Sequence, residues 1–174
     1  MHRHLKTEAV VLKRKNLLER DALVTLFTRE EGKITATAKG VRSLVSRRIS
    51  SLMTGNLIRV VLYRRSDYYY LQTVEMASLF SHIKRIPNLQ KELYFFLYVL
   101  DQLLPERVRE DNAYTLLKKF LVELSKNNFS RIRTAHYCNR LLELLGYSPR
   151  SQTLSESVQR IQEITGKKIP SYII

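Results

Sequence analysis

Five cations, Lys33, Lys39, Arg42, Arg47 and Arg48, fall between Gly32 and Arg48, interleaved with Thr35, Thr37, Ser43 and Ser46. No acid occurs from Gly32 to Ser66. This combination suits a phosphodiester backbone: Arg and Lys supply charge, while Ser, Thr and backbone N–H groups give short neutral hydrogen bonds to phosphate oxygens. The spacing predicts how the set is held. Ile34, Ala36 and Ala38 alternate with Lys33, Thr35, Thr37 and Lys39, the period of a half-buried strand with a basic outer face. Gly40 then turns the chain into a loop carrying Arg42, Arg47 and Arg48. Lys33, Lys39, Arg42 and Arg47 are the main candidates for phosphate contact, and Arg14, Lys15, Arg20, Arg48 and Arg59 form a secondary set. The plain alternative is a solvated face, since Lys and Arg are mostly exposed in any protein. The lopsided charge favours nucleic acid.

Residues 1–65 hold 15 Lys+Arg against 5 Asp+Glu, and residues 66–174 hold 15 against 11. The net charge of +14 is therefore concentrated in the first third. A polyanion is the expected partner, nucleic acid first and an anionic membrane surface second. Tyr63, Tyr68, Tyr69 and Tyr70 could stack on unpaired bases. They could equally be ordinary strand residues, and alternation puts Tyr68 and Tyr70 on one face with Tyr69 on the other.

Other chemistries find little footing. His136 and Cys138 are two apart on a helix and do not share a face, so neither they nor His2 and His4 suggest a metal site. Cys138 reads as a small core residue, and a single Cys excludes an internal disulfide. Gly32-Lys33 lacks the first Gly and the Ser/Thr of a phosphate-binding loop. No carboxylate pair or nucleophile with a base stands out, so no catalytic residue and no cofactor are expected. The opening Met-His-Arg-His-Leu-Lys has no apolar leader core, and Leu93–Leu100 is too short to span a bilayer. A cytoplasmic, nucleoid-associated protein is expected.

The elements that must position these residues fall into two groups. Strands are predicted over Thr7–Lys13, Asp21–Thr28, the stretch from Gly32, Leu57–Arg64 and Tyr68–Met76, the last two joined by Arg65-Ser66-Asp67. A short bridge over Ser50–Thr54 interrupts the series before Gly55-Asn56. Five short strands with that interruption fit an OB-fold barrel, with an SH3-like barrel as the alternative. From Leu79 the period becomes helical. Leu89, Leu93, Phe96, Leu97, Leu100 and Leu104 mark a helix buried on most sides, opened by Pro87-Asn88 and stopped by Pro105. Asp111 can cap a second helix with Ala113, Leu117, Phe120, Leu121 and Leu124 inward. Ser130 can cap a third with Ala135, Cys138, Leu142 and Leu145 inward, ended by Gly146. Ser155 can cap a fourth with Val158, Ile161 and Ile164 inward, ended by Gly166. The expected fold is α+β: an OB-fold domain over residues 1–79 and an all-α domain over 80–174.

Taken together, these residues resemble the RecO family of bacterial recombination mediators. The likeness rests on Glu8-Ala9-Val10-Val11-Leu12, Glu19 and Asp21, and the strand end Leu26-Phe27-Thr28. Gly32-Lys33, Lys39-Gly40-Val41-Arg42 and Ser46-Arg47 follow at the family's distances, and Leu144 to Pro149 is similar to the end of its helical core. The resemblance implies an OB-fold and a helical domain, binding of single- and double-stranded DNA, and annealing of complementary strands. It also implies work with RecR and with the acidic tail of single-stranded-DNA-binding protein to load recombinase. After Pro149 the chain departs from many relatives, which carry a four-Cys zinc ribbon there. Ile164 to Ser171 resembles the family's closing segment, as if only the ribbon were missing, so no zinc is expected.

The function expected is that of a non-enzymatic mediator that binds DNA without marked sequence preference, anneals strands and helps load recombinase in DNA repair. An apolar groove between helices, flanked by Lys118, Lys119, Arg131 or Arg133, could take an acidic, aromatic peptide. The rival is a basic module that meets RNA or an acidic protein and has no annealing activity. A nuclease comes third, without the clustered carboxylates it would need.

Overall fold

The computed structural model describes residues 4–18, 20–41, 48–126, 129–147 and 153–171. The chain divides into two compact units, Met1–Leu79 with Leu104–Asp111, and Phe80–Leu103 with Asn112–Ile174.

The first unit is a closed barrel of β1 (His4–Asn16), β2 (Ala22–Thr28), β3 (Gly32–Ala38), β4 (Leu57–Arg65) and β5 (Tyr68–Ser78), with helix α1 (Arg48–Ser51) between β3 and β4. Strand order around the barrel is β1-β2-β3-β5-β4, with β1 pairing β4 to close the ring. All neighbours are antiparallel except β3 and β5. That connectivity is the OB-fold. Alternation drives it: Ile34, Ala36 and Ala38 of β3 enter one core with Ala9, Val11, Val24, Leu26, Ile58, Val60, Leu62, Tyr69 and Leu71. β1 is longer than the apolar pattern suggests. Its two ends serve different neighbours, His4–Val10 pairing with β4 and Ala9–Asn16 with β2, which only a long, coiled strand can do.

The barrel also claims a segment whose sequence sits among the helices. Residues 104–111 run beside β3, where Glu106 bridges Lys33 and the Arg107 N–H donates to the Lys33 carbonyl at 2.8 Å. Gly32 makes the approach possible. It sits at φ +70°, and a Cβ there would overlap the Val108 carbonyl. Arg107 then reaches the β4–β5 turn, pairing with Asp67 at 3.2 Å.

The second unit holds α2 (Ser81–Arg85), α3 (Pro87–Leu103), α4 (Asp111–Leu124), α5 (Arg131–Leu144) and α6 (Leu154–Thr165). Its centre is aromatic: Phe96 lies 4.3 Å from Phe120 and 6.0 Å from Tyr137, ring centre to ring centre. Cys138 is fully buried in α5. Helix ends follow their sequences with three changes. Asp111, expected as a cap, is the first residue of α4, and its carboxylate accepts from Arg109 Nε at 3.0 Å. Gly146 takes φ +83° after α5, and the Tyr147 and Gly146 N–H groups close back on the carbonyls of Leu142 and Glu143, a Schellman ending. Ser130 occupies the N-cap of α5 but makes no side-chain cap bond. α6 is capped by Thr153 instead of the expected Ser155, because Thr153 and Glu156 have the spacing of a capping box and make both of its bonds. No described helix is long and apolar enough to cross a membrane.

Candidate nucleic-acid interface

The outer face of the barrel carries an aromatic row that register alone assembles. Thr37 of β3 stands beside Tyr70 of β5, Tyr70 opposite Tyr63 of β4, and Tyr63 opposite His4 of β1. Residues paired in register share a face, and the inward position of Tyr69 fixes which face this is. Tyr69 is 3% exposed within the core, so Tyr70 and Tyr63 point out. The rings of His4 and Tyr63 are 5.3 Å apart. The Lys39 ammonium, just past the end of β3, lies 5.5 Å from the Tyr70 ring, within cation–π range. Tyr68 is 68% exposed at the start of β5. Alternation therefore sorted the tyrosines correctly, with two outward and one inward among Tyr68–Tyr70.

The expected cations land in different situations. Lys39 is exposed on the aromatic row, and Lys15 and Arg20 are exposed at the two ends of the β1–β2 loop. That loop is closed by the Leu17 N–H donating to the Asp21 carbonyl at 3.0 Å. It is tied to the exit of β3 by the Gly40 N–H, which donates to the Asp21 carboxylate at 2.7 Å. Arg14 is half-buried and donates to the Ile49 carbonyl at 3.2 Å, a structural contact with the chain around α1. Arg59 is exposed, but its register partners are Glu8 on β1 and Glu75 on β5. Flanking carboxylates on both sides weaken its pull on phosphate.

Lys33 corrects the expectation that it faces water. Its side chain does belong to the outer face of β3, yet it is only 8% exposed, because residues 104–111 lie along that edge. Lys33 is therefore withdrawn from the accessible surface. Arg42 and Arg47 lie outside the described residues, and Arg48 opens α1.

One cluster escaped sequence reasoning. The Tyr69 hydroxyl donates to Glu31 at 3.1 Å, and the guanidiniums of Arg64 and Arg107 lie 5.7 and 5.8 Å from its ring. Burial, and then the neighbouring Glu31, push the Tyr69 hydroxyl above its ordinary pKa. The cluster clamps residues 104–111 to the barrel. Arg107 follows Pro105 in what sequence marks only as an interhelical connection, so no local signal could have found it. His4 was visible only as a possible metal ligand, and its partnership with Tyr63 depends on strand register.

In the helical unit a cleft of about 500 Å³ is lined by Asn88, Leu89, Lys91, Glu92, Phe129, Ser130 and Arg131. Glu92, 8% exposed, accepts from Arg131 Nε at 3.2 Å and from the Thr134 hydroxyl at 2.5 Å. Among the described residues no group of three or more His, Cys, Asp or Glu is placed to hold a metal.

Comparison with known proteins decides what this barrel is. A family model described as recombination protein O N terminal matches residues 1–80, the strands of the barrel. A DNA repair protein RecO of Caldanaerobacter subterraneus subsp. tengcongensis is 32% identical over 154 residues, covering 84% of this chain and 60% of the relative. This chain belongs to the RecO family. A RecO of Thermoanaerobacter sp. (strain X514) is 30% identical over 148 residues, and one of Acetivibrio thermocellus 29% over 150. These cover 84% of this chain in each case and 60% and 59% of the RecO relatives. The chain thus spans about 60% of the length of the curated RecO proteins it matches.

Proposed function

We propose that this chain is a DNA-binding recombination mediator: it holds single- and double-stranded DNA without marked sequence preference, anneals complementary strands and helps load recombinase during repair. The observation that carries the reading is the outer row of His4, Tyr63 and Tyr70 with Lys39 above Tyr70. Aromatic faces stack on any base and cations attract any phosphate, so such a row binds strands by their common features. Its relatives' name, DNA repair protein RecO, agrees.

In this reading Lys39, Lys15 and Arg20 meet phosphate, joined by Arg42, Arg47 and Arg48 from the basic stretch. Arg59 contributes less because of Glu8 and Glu75, and Arg14 acts by holding the chain near Ile49. Annealing then needs no bond-making group. Cations that screen phosphate charge let two strands approach, and base pairing does the rest. RecR and the acidic tail of single-stranded-DNA-binding protein are the expected protein partners. The Lys91 and Arg131 cleft, with Leu89 and Phe129 supplying apolar surface, suits such a tail.

Fluorescence anisotropy with a labelled oligothymidine tests the site. Tyr63→Ala and Tyr70→Ala are each expected to cost about 1–3 kcal/mol of binding to single strands with the salt slope kept. Lys39→Glu is expected to lower the slope. Variants with wild-type affinity and slope would remove the row from the interface.

A further inference from the structure

Leu18 is 91% exposed, the most exposed large apolar side chain among the described residues, and its neighbour Leu17 is 36% exposed. Both sit at the tip of the β1–β2 loop. Single exposed apolar residues are common and mean little. This one differs in how it is presented. The tip is closed by the Leu17 to Asp21 backbone bond and anchored to β3 through Gly40, so Leu18 stands on a braced support. Around it the sequence places Lys13, Arg14, Lys15 and Arg20 against Glu19 and Asp21. Lys13, Lys15 and Arg20 are exposed, while the Asp21 carboxylate is occupied by the Gly40 amide.

Leu18 thus lies in a stretch of chain that also carries the exposed cations Lys13, Lys15 and Arg20. An apolar point with cations nearby in the chain is complementary to one feature of nucleic acid. The gap between two stacked bases is apolar, and phosphates flank it on both sides. Side chains such as Leu enter that gap, unstack the step and are held there by neighbouring charge. An isolated apolar partner would not call for the cations, and a purely electrostatic contact would not call for Leu18.

We propose that Leu18 is a wedge that enters a base step of bound duplex DNA, with Lys15 and Arg20 on the adjacent phosphates. The proposal rests on the DNA-binding reading above. Its effect is to loosen a duplex locally, which would help mispaired strands to re-register during annealing.

The test uses the whole chain and a duplex with 2-aminopurine at an internal step, whose fluorescence rises when it is unstacked. Wild type is expected to raise the signal. Leu18→Ser is expected to abolish the rise while duplex binding stays measurable, affinity falling by about 10- to 100-fold at most, the worth of one buried Leu. At 91% exposure the substitution leaves the barrel intact, which circular dichroism verifies. Lys15→Glu/Arg20→Glu is expected to weaken duplex binding itself. Tight binding without any rise, or an equal rise in Leu18→Ser, overturns the wedge and leaves the binding reading standing. No duplex binding by wild type overturns both. Leu18-dependent sedimentation with phosphatidylserine vesicles, with no change in 2-aminopurine signal, overturns the wedge in favour of a membrane contact.

Discussion

Gly32→Ala probes how the barrel holds residues 104–111, and Gly40→Ala supplies its control. Both glycines have positive φ, +70° and +60°, so both variants pay the left-handed backbone penalty of about 1–2 kcal/mol. Only Gly32 faces an obstacle. A methyl at Gly40 meets nothing within 4 Å, whereas one at Gly32 would collide with the Val108 carbonyl and crowd the Arg109 nitrogen. Backbone cannot rotate aside as a side-chain tip can, so residues 104–111 must shift. The added cost is about 1–3 kcal/mol for overpacking and about 1 kcal/mol for the Arg107 to Lys33 hydrogen bond. Gly32→Ala should therefore lose about 3–6 kcal/mol and Gly40→Ala about 1–2. Urea unfolding followed by tyrosine fluorescence and circular dichroism measures both, the chain having no Trp. Equal losses in the two variants would refute the close packing of 104–111 on β3.

Thr153→Ala is expected to cost about 0.5–2 kcal/mol through loss of the α6 capping box, and Ser155→Ala close to nothing, measured by the same unfolding. Tyr137 gives a pH prediction: burial, and then Glu123, raise its hydroxyl from 10.0 to about 12 in the folded chain. The unfolded state then releases its proton first as pH rises. Stability from this group is complete below pH 10 and is lost between pH 10 and about 12. Tyr137→Phe should flatten the alkaline fall in stability measured across that window, and an unchanged fall would count against the burial of that hydroxyl. Thr134→Val should destabilise the helical unit by about 1–3 kcal/mol, because it leaves the buried Glu92 carboxylate one hydrogen bond short.

The strands were legible because their pattern is local. Ile34, Ala36 and Ala38 alternate cleanly, and the core takes all three. The OB-fold order could be expected from five strands and a gap, and the parallel β3–β5 contact, limited to Ala36 with Tyr69 and Thr37 with Tyr70, completes it. The helical stripes were equally plain, Leu117, Phe120, Leu121 and Leu124 all being buried. What alternation cannot say is what covers an outward residue. Lys33 and Thr35 share a face, yet only Lys33 is covered, by residues distant in sequence. The same blindness hid the aromatic row, since the meeting of His4 with Tyr63 depends on register between β1 and β4. Charge counting also overstated Arg59, whose carboxylate neighbours lie 51 and 16 positions away in the chain and are brought beside it by pairing.

The central claim is that DNA is held mainly through phosphate charge on the barrel and that this contact drives annealing. Annealing of two complementary oligonucleotides, followed across a salt series with wild type and with Lys39→Glu/Arg42→Glu, tests it most directly. With about 6–10 phosphates engaged, affinity should fall about 10³–10⁵-fold between 50 and 200 mM salt. The acceleration of annealing should fall with it and be absent from the double variant at every salt concentration. A flat salt response, or a folded double variant that anneals as fast as wild type, would contradict the account.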